Sequence, residues 1–495
     1  MLYLLLLITL INYFLHLGLP QVWMPNESFY ADASKHMINT GNFITPYYNG
    51  DLRLEKPPMT YWIVSLGYYL FGINEFGLRF FHALLGLLTG LITFLLAWEV
   101  LKDLKVPLLS ALILVSSFQF FANSRYASPE IPFTFFITLS LYLWLKAYKK
   151  DNIFLLSLAF FSSSLAIMTK GPAGFVIPAG IVFIYLLLEN PKELLKKRYY
   201  LLTLLFLPFG LWWHFYELFT HKEEFFRVFY QENIKRIHQG TDPFYFYLSD
   251  TLISFLPYSF LVFFAFFWSI IKLRRELSFF MVWFLFVFTV FSIVKSKIPV
   301  YVLPAYPAMS VLTASFLLNT TWKRLIASSS LFLTILLSLT IVIAVFYFGL
   351  NKLFLLLTLL PFLVLPKNYA LSPLVGGIAF LVFVNVGLVE YLEKFRHYRE
   401  VGNYIKALDP KGGLKVYELG YFHHNLPFYA DRKVLRDEKP EKPSIVLFKM
   451  GSFNDCKPLQ VWKLYTSSES RFLVFLLDTK RGKRFEDFGI CIYRN

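Results

Sequence analysis

Long apolar runs separated by short polar breaks extend from residue 2 to residue 389. Measured against the ~17–25 apolar residues that cross a bilayer as a helix, they predict about 13 membrane helices. The expected spans are 2–19, 76–101, 106–121, 131–148, 153–169, 175–188 and 199–216, then 251–271, 279–294, 299–318, 326–348, 353–365 and 371–389. The run at 59–73 is apolar but short for a span, and it follows two prolines, so it is expected to lie as an interfacial or re-entrant helix. The first run has no basic stretch before it and no small-residue cleavage site after it, which predicts a retained span rather than a leader.

The breaks between the runs fall into two kinds. One set is short and rich in Lys and Arg: Lys102 and Lys105, Lys149 and Lys150, Lys192 with Lys196, Lys197 and Arg198, Lys272 with Arg274 and Arg275, and Lys323 with Arg324. Short basic loops face the cytoplasm. The other set is long (20–75, 121–130, 214–243 and the tail after 389) and carries histidines, acids and broken helices. The expectation is a multi-pass protein of the cytoplasmic membrane with its chemistry on the extracytoplasmic side.

Two domains follow from this pattern: a transmembrane domain over 1–389 and a soluble α/β domain over 390–495. In the tail charge rises, and strand-like runs at 414–419, 444–449 and 472–477 alternate with Gly, Pro and Asp clusters. Cys456 and Cys491 both fall there, and the sequence leaves their pairing open.

Composition excludes a soluble protein. The 495 residues are 57% hydrophobic and only 16% charged, against about 25% charged for soluble domains. The net charge of +16 would suggest a nucleic-acid partner in a soluble chain. In a membrane protein, basic loops and anionic lipids account for it, so no nucleic-acid partner is expected.

Four outer segments concentrate the candidate chemistry. Pro25-Asn26-Glu27 begins a surface helix running to about Thr40, with Asn26 as its cap and Glu27 in the first turn, where the helix dipole suits a carboxylate. That position serves capping and catalysis equally well. Leu54-Glu55-Lys56-Pro57-Pro58 puts charges and helix-forbidding prolines at a membrane boundary, with Arg53 beside them. Lys56 and Arg53 would meet an ionised phosphate there in a low dielectric. Asn123–Glu130 ends in an acid at the start of a span, and Lys295–Pro304 sets a basic pair against a proline-broken span containing Tyr301. Smaller signals are Thr169-Lys170-Gly171-Pro172 and the loop helix from Glu232 to Arg236. His423-His424 in the tail are more simply solvent-facing than zinc ligands.

In order, Pro-Asn-Glu-x-x-Tyr (25–30), Leu-Glu-Lys-Pro-Pro-x-x-Tyr-Trp (54–62), Phe-Gly-x-Asn-Glu-Phe-x-x-Arg (71–79), Thr-Lys-Gly-Pro (169–172) and Lys-x-Pro-x-Tyr-x-Leu-Pro (297–304) resemble the aminoarabinose transferases of lipid A. Those belong with the protein O-mannosyltransferases among GT-C integral-membrane glycosyltransferases. The resemblance implies transfer of a sugar from a polyprenyl-phosphate carrier to a lipid or protein acceptor, lipid A or a related lipid phosphate first among them. It implies carrier binding by Lys56, with Arg53, Tyr61, Lys297 and Tyr301 lining the carrier end. It associates Glu55 with a divalent metal and places an acid at Glu130. The family reads Asp-Glu in the first motif, where this chain has Asn26-Glu27, and Asn cannot act as a general base. Either Glu27 or Glu130 takes that task, or an already ionised phosphate acceptor needs none. A protein O-mannosyltransferase-like activity is the alternative within enzymes, and a non-catalytic transporter or scaffold is the alternative outside them. No inverted repeat or paired broken helices favour a transporter.

Overall fold

A computed structural model describes residues 2–272 and 274–494. It is largely helical and divides into two compact units. The first contains residues 1–15, 54–60 and 81–383, and the second contains 16–53, 61–80 and 384–495.

The first unit is the membrane bundle. Among the described residues of the whole chain, eight helices are long and apolar enough to cross a bilayer, and the bent pair Lys105–Ser116 and Phe118–Ser124 makes a ninth. Shorter apolar helices cover Leu2–Phe14, Ala173–Glu189, Leu261–Ile271 and Lys352–Val364. The bend of 66° replaces the straight span expected at 106–121. It arises at Ser117, whose extended backbone (ψ 135°) ends the first helix. The amide freed there, Phe118 N, donates to Leu256 O at 2.9 Å. Helix Tyr306–Asn319 is apolar on every side and is buried almost throughout, as a helix at the centre of a bundle must be. Trp268 and Trp283 are buried in the same core, and the Trp283 indole donates to Pro304 O at 2.7 Å.

The second unit is not the tail alone. It joins helices Asn26–Thr40 and Tyr398–Leu408, most of helix Met59–Phe71, and a five-stranded sheet. The sheet order is 434–436, 415–419, 444–449, 485–493, 460–465; the first three strands are parallel and the last two pairings antiparallel. The expected strands at 414–419 and 444–449 form as Lys415–Leu419 and Ser444–Lys449. The expected strand at 472–477 is instead the start of helix Phe472–Arg481. Its buried positions Phe475, Leu476 and Thr479 recur at helical spacing, and a short apolar run cannot display that period by itself. Cys456 and Cys491 form a disulfide.

Two buried arginines hold the segment after the first helix. Arg396 bonds Glu469 at 2.7 Å and donates to the carbonyls of Gln21 and Val22, both at 2.9 Å. Arg79 donates to the carbonyls of Leu17, Pro20 and Gln21. Each satisfies backbone acceptors that no regular structure would satisfy there.

Candidate functional site

Pro57 and Pro58 keep the chain at Lys56 non-helical and let helix Met59–Phe71 begin directly after them. This places the Lys56 ammonium 2.6 Å from Glu232 Oε2. Burial pulls Lys56 below its ordinary range, and Glu232 opposes that pull. Glu232 lies in the π-helical turn Tyr230–Lys235, beyond a kink at Lys222, where φ is +25° inside helix Lys197–Phe229. Such π turns widen a helix and commonly mark functional positions. Arg236 follows, bonding Glu232 Oε1 at 2.7 Å and donating to the Tyr301 hydroxyl at 2.8 Å. Tyr301 reaches this place because Pro299 and Pro304 hold residues 299–305 in a tight 3-10 helix.

The chain of contacts continues over the Tyr301 ring. Lys170 stands 4.7 Å from the ring centroid and bonds Glu130 Oε1 at 3.0 Å. Lys170 ends its helix, and Gly171 at φ +90° makes the sharp exit a side-chain-bearing residue would resist. Glu130 opens its helix after Pro129, so both charges come from helix ends. Three cations (Lys56, Lys170, Arg236) thus meet two carboxylates (Glu130, Glu232) around one tyrosine, with all five charged side chains half-buried or less exposed.

The bundle therefore brings Lys56, Glu130 and Tyr301 together, but not Lys297. The Lys297 ammonium donates to the main-chain carbonyls of Asp242 and Val294, and its backbone N–H donates to Asp242 Oδ2 at 2.9 Å. Its positive charge anchors a loop and does not line the cluster. Glu55 neighbours Lys56, but among the described residues no group of three His, Cys, Asp or Glu side chains could hold a metal ion.

The second unit holds the remaining candidates. Asn26 is the first residue of its helix and not the cap: Pro25 occupies that position without a side-chain cap bond. Glu27 is fully buried and bound through both oxygens to Arg79, at 2.8 and 2.6 Å, and Oε2 also accepts Trp23 N–H at 2.9 Å. Both oxygens of this carboxylate are engaged, in the geometry of a structural ion pair. Arg53 stacks 3.9 Å over the Phe29 ring and donates to the Tyr61 hydroxyl at 3.2 Å. Further along helix Asn26–Thr40, burial pushes Asp32 up to about 6, although it accepts Asn49 N–H at 2.7 Å. His423 is not solvent-facing: it is buried against Glu418 at 2.5 Å. His424 contacts the Tyr48 hydroxyl at 3.3 Å, and burial lowers it to about 4.

Glu232, Arg236 and Lys170 appear in the sequence only as minor features. A charged residue at a π turn or after a TKGP break carries no statement of which partner it meets.

Comparison with known proteins adds four findings. A family model described as dolichyl-phosphate-mannose-protein mannosyltransferase matches residues 1–226. An uncharacterized protein of Aquifex aeolicus is 56% identical over 98% of both chains. An undecaprenyl phosphate-alpha-4-amino-4-deoxy-L-arabinose arabinosyl transferase of Pseudomonas savastanoi pv. phaseolicola is 31% identical, covering 63% of this chain and 60% of its own. The chain thus spans about 60% of the length of that arabinosyl transferase. The crystal structure of ArnT from Cupriavidus metallidurans bound to undecaprenyl phosphate aligns with TM-score 0.76 at 19% identity, over 90% of this chain and 93% of that one. That likeness is one of fold.

Proposed function

We propose that the chain is a GT-C membrane glycosyltransferase akin to the aminoarabinose and protein mannosyl transferases, and that it moves a sugar from a polyprenyl-phosphate carrier to a lipid phosphate such as lipid A. The observation that carries this reading is the contact chain Lys56–Glu232–Arg236–Tyr301, with Lys170 and Glu130 behind it. A carrier phosphate arriving at Lys56 displaces Glu232 and meets a site with more cations than carboxylates.

In the reaction an acceptor oxygen attacks the anomeric carbon, the bond from that carbon to the carrier phosphate oxygen breaks, and the electron pair leaves with the carrier phosphate. The phosphate gains one negative charge in that step. Lys56 and Arg236 are placed to stabilise it, and a stable anion needs no general acid to depart.

A hydroxyl acceptor would need a base. Both carboxylates proposed for that task are held by cations, Glu27 on Arg79 and Glu130 on Lys170. An ionised phosphate acceptor dispenses with the base and fits Asn26 in the place where relatives of the resembled family carry Asp. Glu130 then positions Lys170 and the Tyr301 ring. The short basic loops of the bundle and, separately, the Cys456–Cys491 disulfide of the tail support an extracytoplasmic reaction at the inner membrane.

The test uses purified protein in lipid nanodiscs with polyprenyl-phosphate sugars and two acceptors, lipid A and a Ser/Thr-rich peptide, followed by mass spectrometry. Sugar on a lipid A phosphate is expected. Sugar on the peptide alone would replace this reading with a protein glycosyltransferase.

A further inference from the structure

One buried histidine of the bundle takes no part in the contacts described above. Helix Lys197–Phe229 kinks at Lys222, and the chain folds back so that Phe225 and Phe229, beyond the kink, meet His214 before it. Both rings lie edge-on to the imidazole with centroids 6.3 Å away, and Trp213 stands at 5.3 Å. His214 is 9% exposed, and among the described residues its Nδ1 has no hydrogen-bond partner. Its Nε2 is turned to Gly171: a Cβ there would lie 3.7 Å from this nitrogen and 3.8 Å from Asn233 Oδ1. Gly171 has φ +90° and ψ −161°, a conformation essentially restricted to glycine, so no side chain stands between the two polar atoms.

The two atoms have opposite roles. A neutral imidazole carries one N–H, and placing it on Nε2 avoids a buried donor without an acceptor at Nδ1, so Nε2 is assigned as the donor. Asn233 Nδ2 donates to Phe229 O at 3.0 Å, which fixes the amide and turns Oδ1, an acceptor, to Gly171. A group held by both must accept from one and donate to the other. A hydroxyl does both, whereas an ionised phosphate or carboxylate only accepts and an ammonium only donates. The place is set as well. Asn233 follows Glu232, which holds Lys56, and Gly171 follows Lys170, which holds Glu130.

We propose that His214 and Asn233 hold one hydroxyl of the donor sugar and so select the sugar at that carbon. The inference rests on the glycosyl-transfer reading above and adds to it the two residues that recognise the sugar. With the carrier phosphate at Lys56, the sugar bonded to it is the nearest source of hydroxyls, and an isoprenoid tail brings none. A water molecule has the same two hydrogen-bonding capacities, so the test has to tell a sugar hydroxyl from a water.

Purified protein in nanodiscs is titrated, without acceptor, with undecaprenyl phosphate, with that carrier bearing mannose or aminoarabinose, and with derivatives of each lacking one sugar hydroxyl. Wild type should bind one deoxy derivative roughly tenfold or more weakly than its parent, as two hydrogen bonds are lost. H214F and N233A should bind that derivative and its parent alike, while keeping the wild-type Kd for undecaprenyl phosphate itself. H214Q, which restores a side-chain N–H, should recover part of the preference. Indifference of wild type to every deletion would overturn the proposal without recourse to any variant. An undiminished preference in folded H214F and N233A would also overturn it and mark the gap as a water site. Failure of the glycosyl-transfer reading shows differently, as no transfer of either sugar to lipid A or to the peptide, and would overturn this inference with it.

Discussion

Lys56 and Glu232 are joined at 2.6 Å although 176 residues separate them in the chain. In the proposed reaction this carboxylate stands where an incoming phosphate would bind, so the pair would set both the affinity and the charge of the site. K56A should lower transfer by about 10²–10³-fold, the loss typical of removing one preorganised donor to a developing anion. The check is a single-turnover rate with saturating carrier-linked sugar.

E232Q should act differently. It weakens the competitor for Lys56, so KM for the donor should fall several-fold. Glu232 also fixes Arg236, so kcat should fall as well. Steady-state kinetics separate the two effects, and an unchanged KM would show that Glu232 does not compete with phosphate.

Y301F removes the acceptor for Arg236 while leaving the ring under Lys170. A net hydrogen bond is worth about 0.5–1.5 kcal/mol, so kcat/KM should drop about 2- to 12-fold. Y301L removes the ring as well and should cost more.

Glu27 and Arg79 are buried in full contact. R79A leaves a buried unpaired carboxylate and should destabilise by about 3–5 kcal/mol. If Glu27 is structural, E27Q should lower the melting temperature more than it lowers the per-molecule rate of the folded fraction. A lost rate at an unchanged melting temperature would return Glu27 to catalysis.

His424 gives a pH signature. Burial, with Arg436, His423 and Arg53 adding to it, lowers its pKa to about 4, whereas an unfolded histidine titrates near 6.5. Below about 6.5 the unfolded chain gains a proton the folded chain refuses, so this group's contribution to stability is full above 6.5 and is lost as pH falls toward 4. H424Q should flatten that part of a melting-temperature profile.

What the sequence revealed depended on range. Lys56 was legible because charge and paired prolines at a membrane boundary are locally costly. The helix from residue 26 to Thr40 was legible in the same local way, although Pro25 and not Asn26 stands at its cap. Glu232 and Arg236 were seen only as a loop helix, since nothing near them names Lys56 or Tyr301 as partners. Glu27 read as a catalytic candidate because its Arg79 partner lies 52 residues on. In the tail, strand Phe485–Tyr493 escaped notice because Glu486, Asp487 and Gly489 interrupt its apolar character, while its pairing with 444–449 supplies the order.

The second unit takes residues 16–53 and 61–80 from the beginning of the chain and 384–495 from its end. A ribosome delivers the first part some 300 residues before its complement exists. Arg396 and Glu469, which hold Gln21 and Val22 in the finished protein, are among the last groups made. During synthesis the early segment must therefore wait, exposed and incomplete, while the intervening helices insert. A chain cut short anywhere before residue 384 would keep the first part of this unit without its complement, and the carbonyls of Gln21 and Val22 would lack their Arg396 donor.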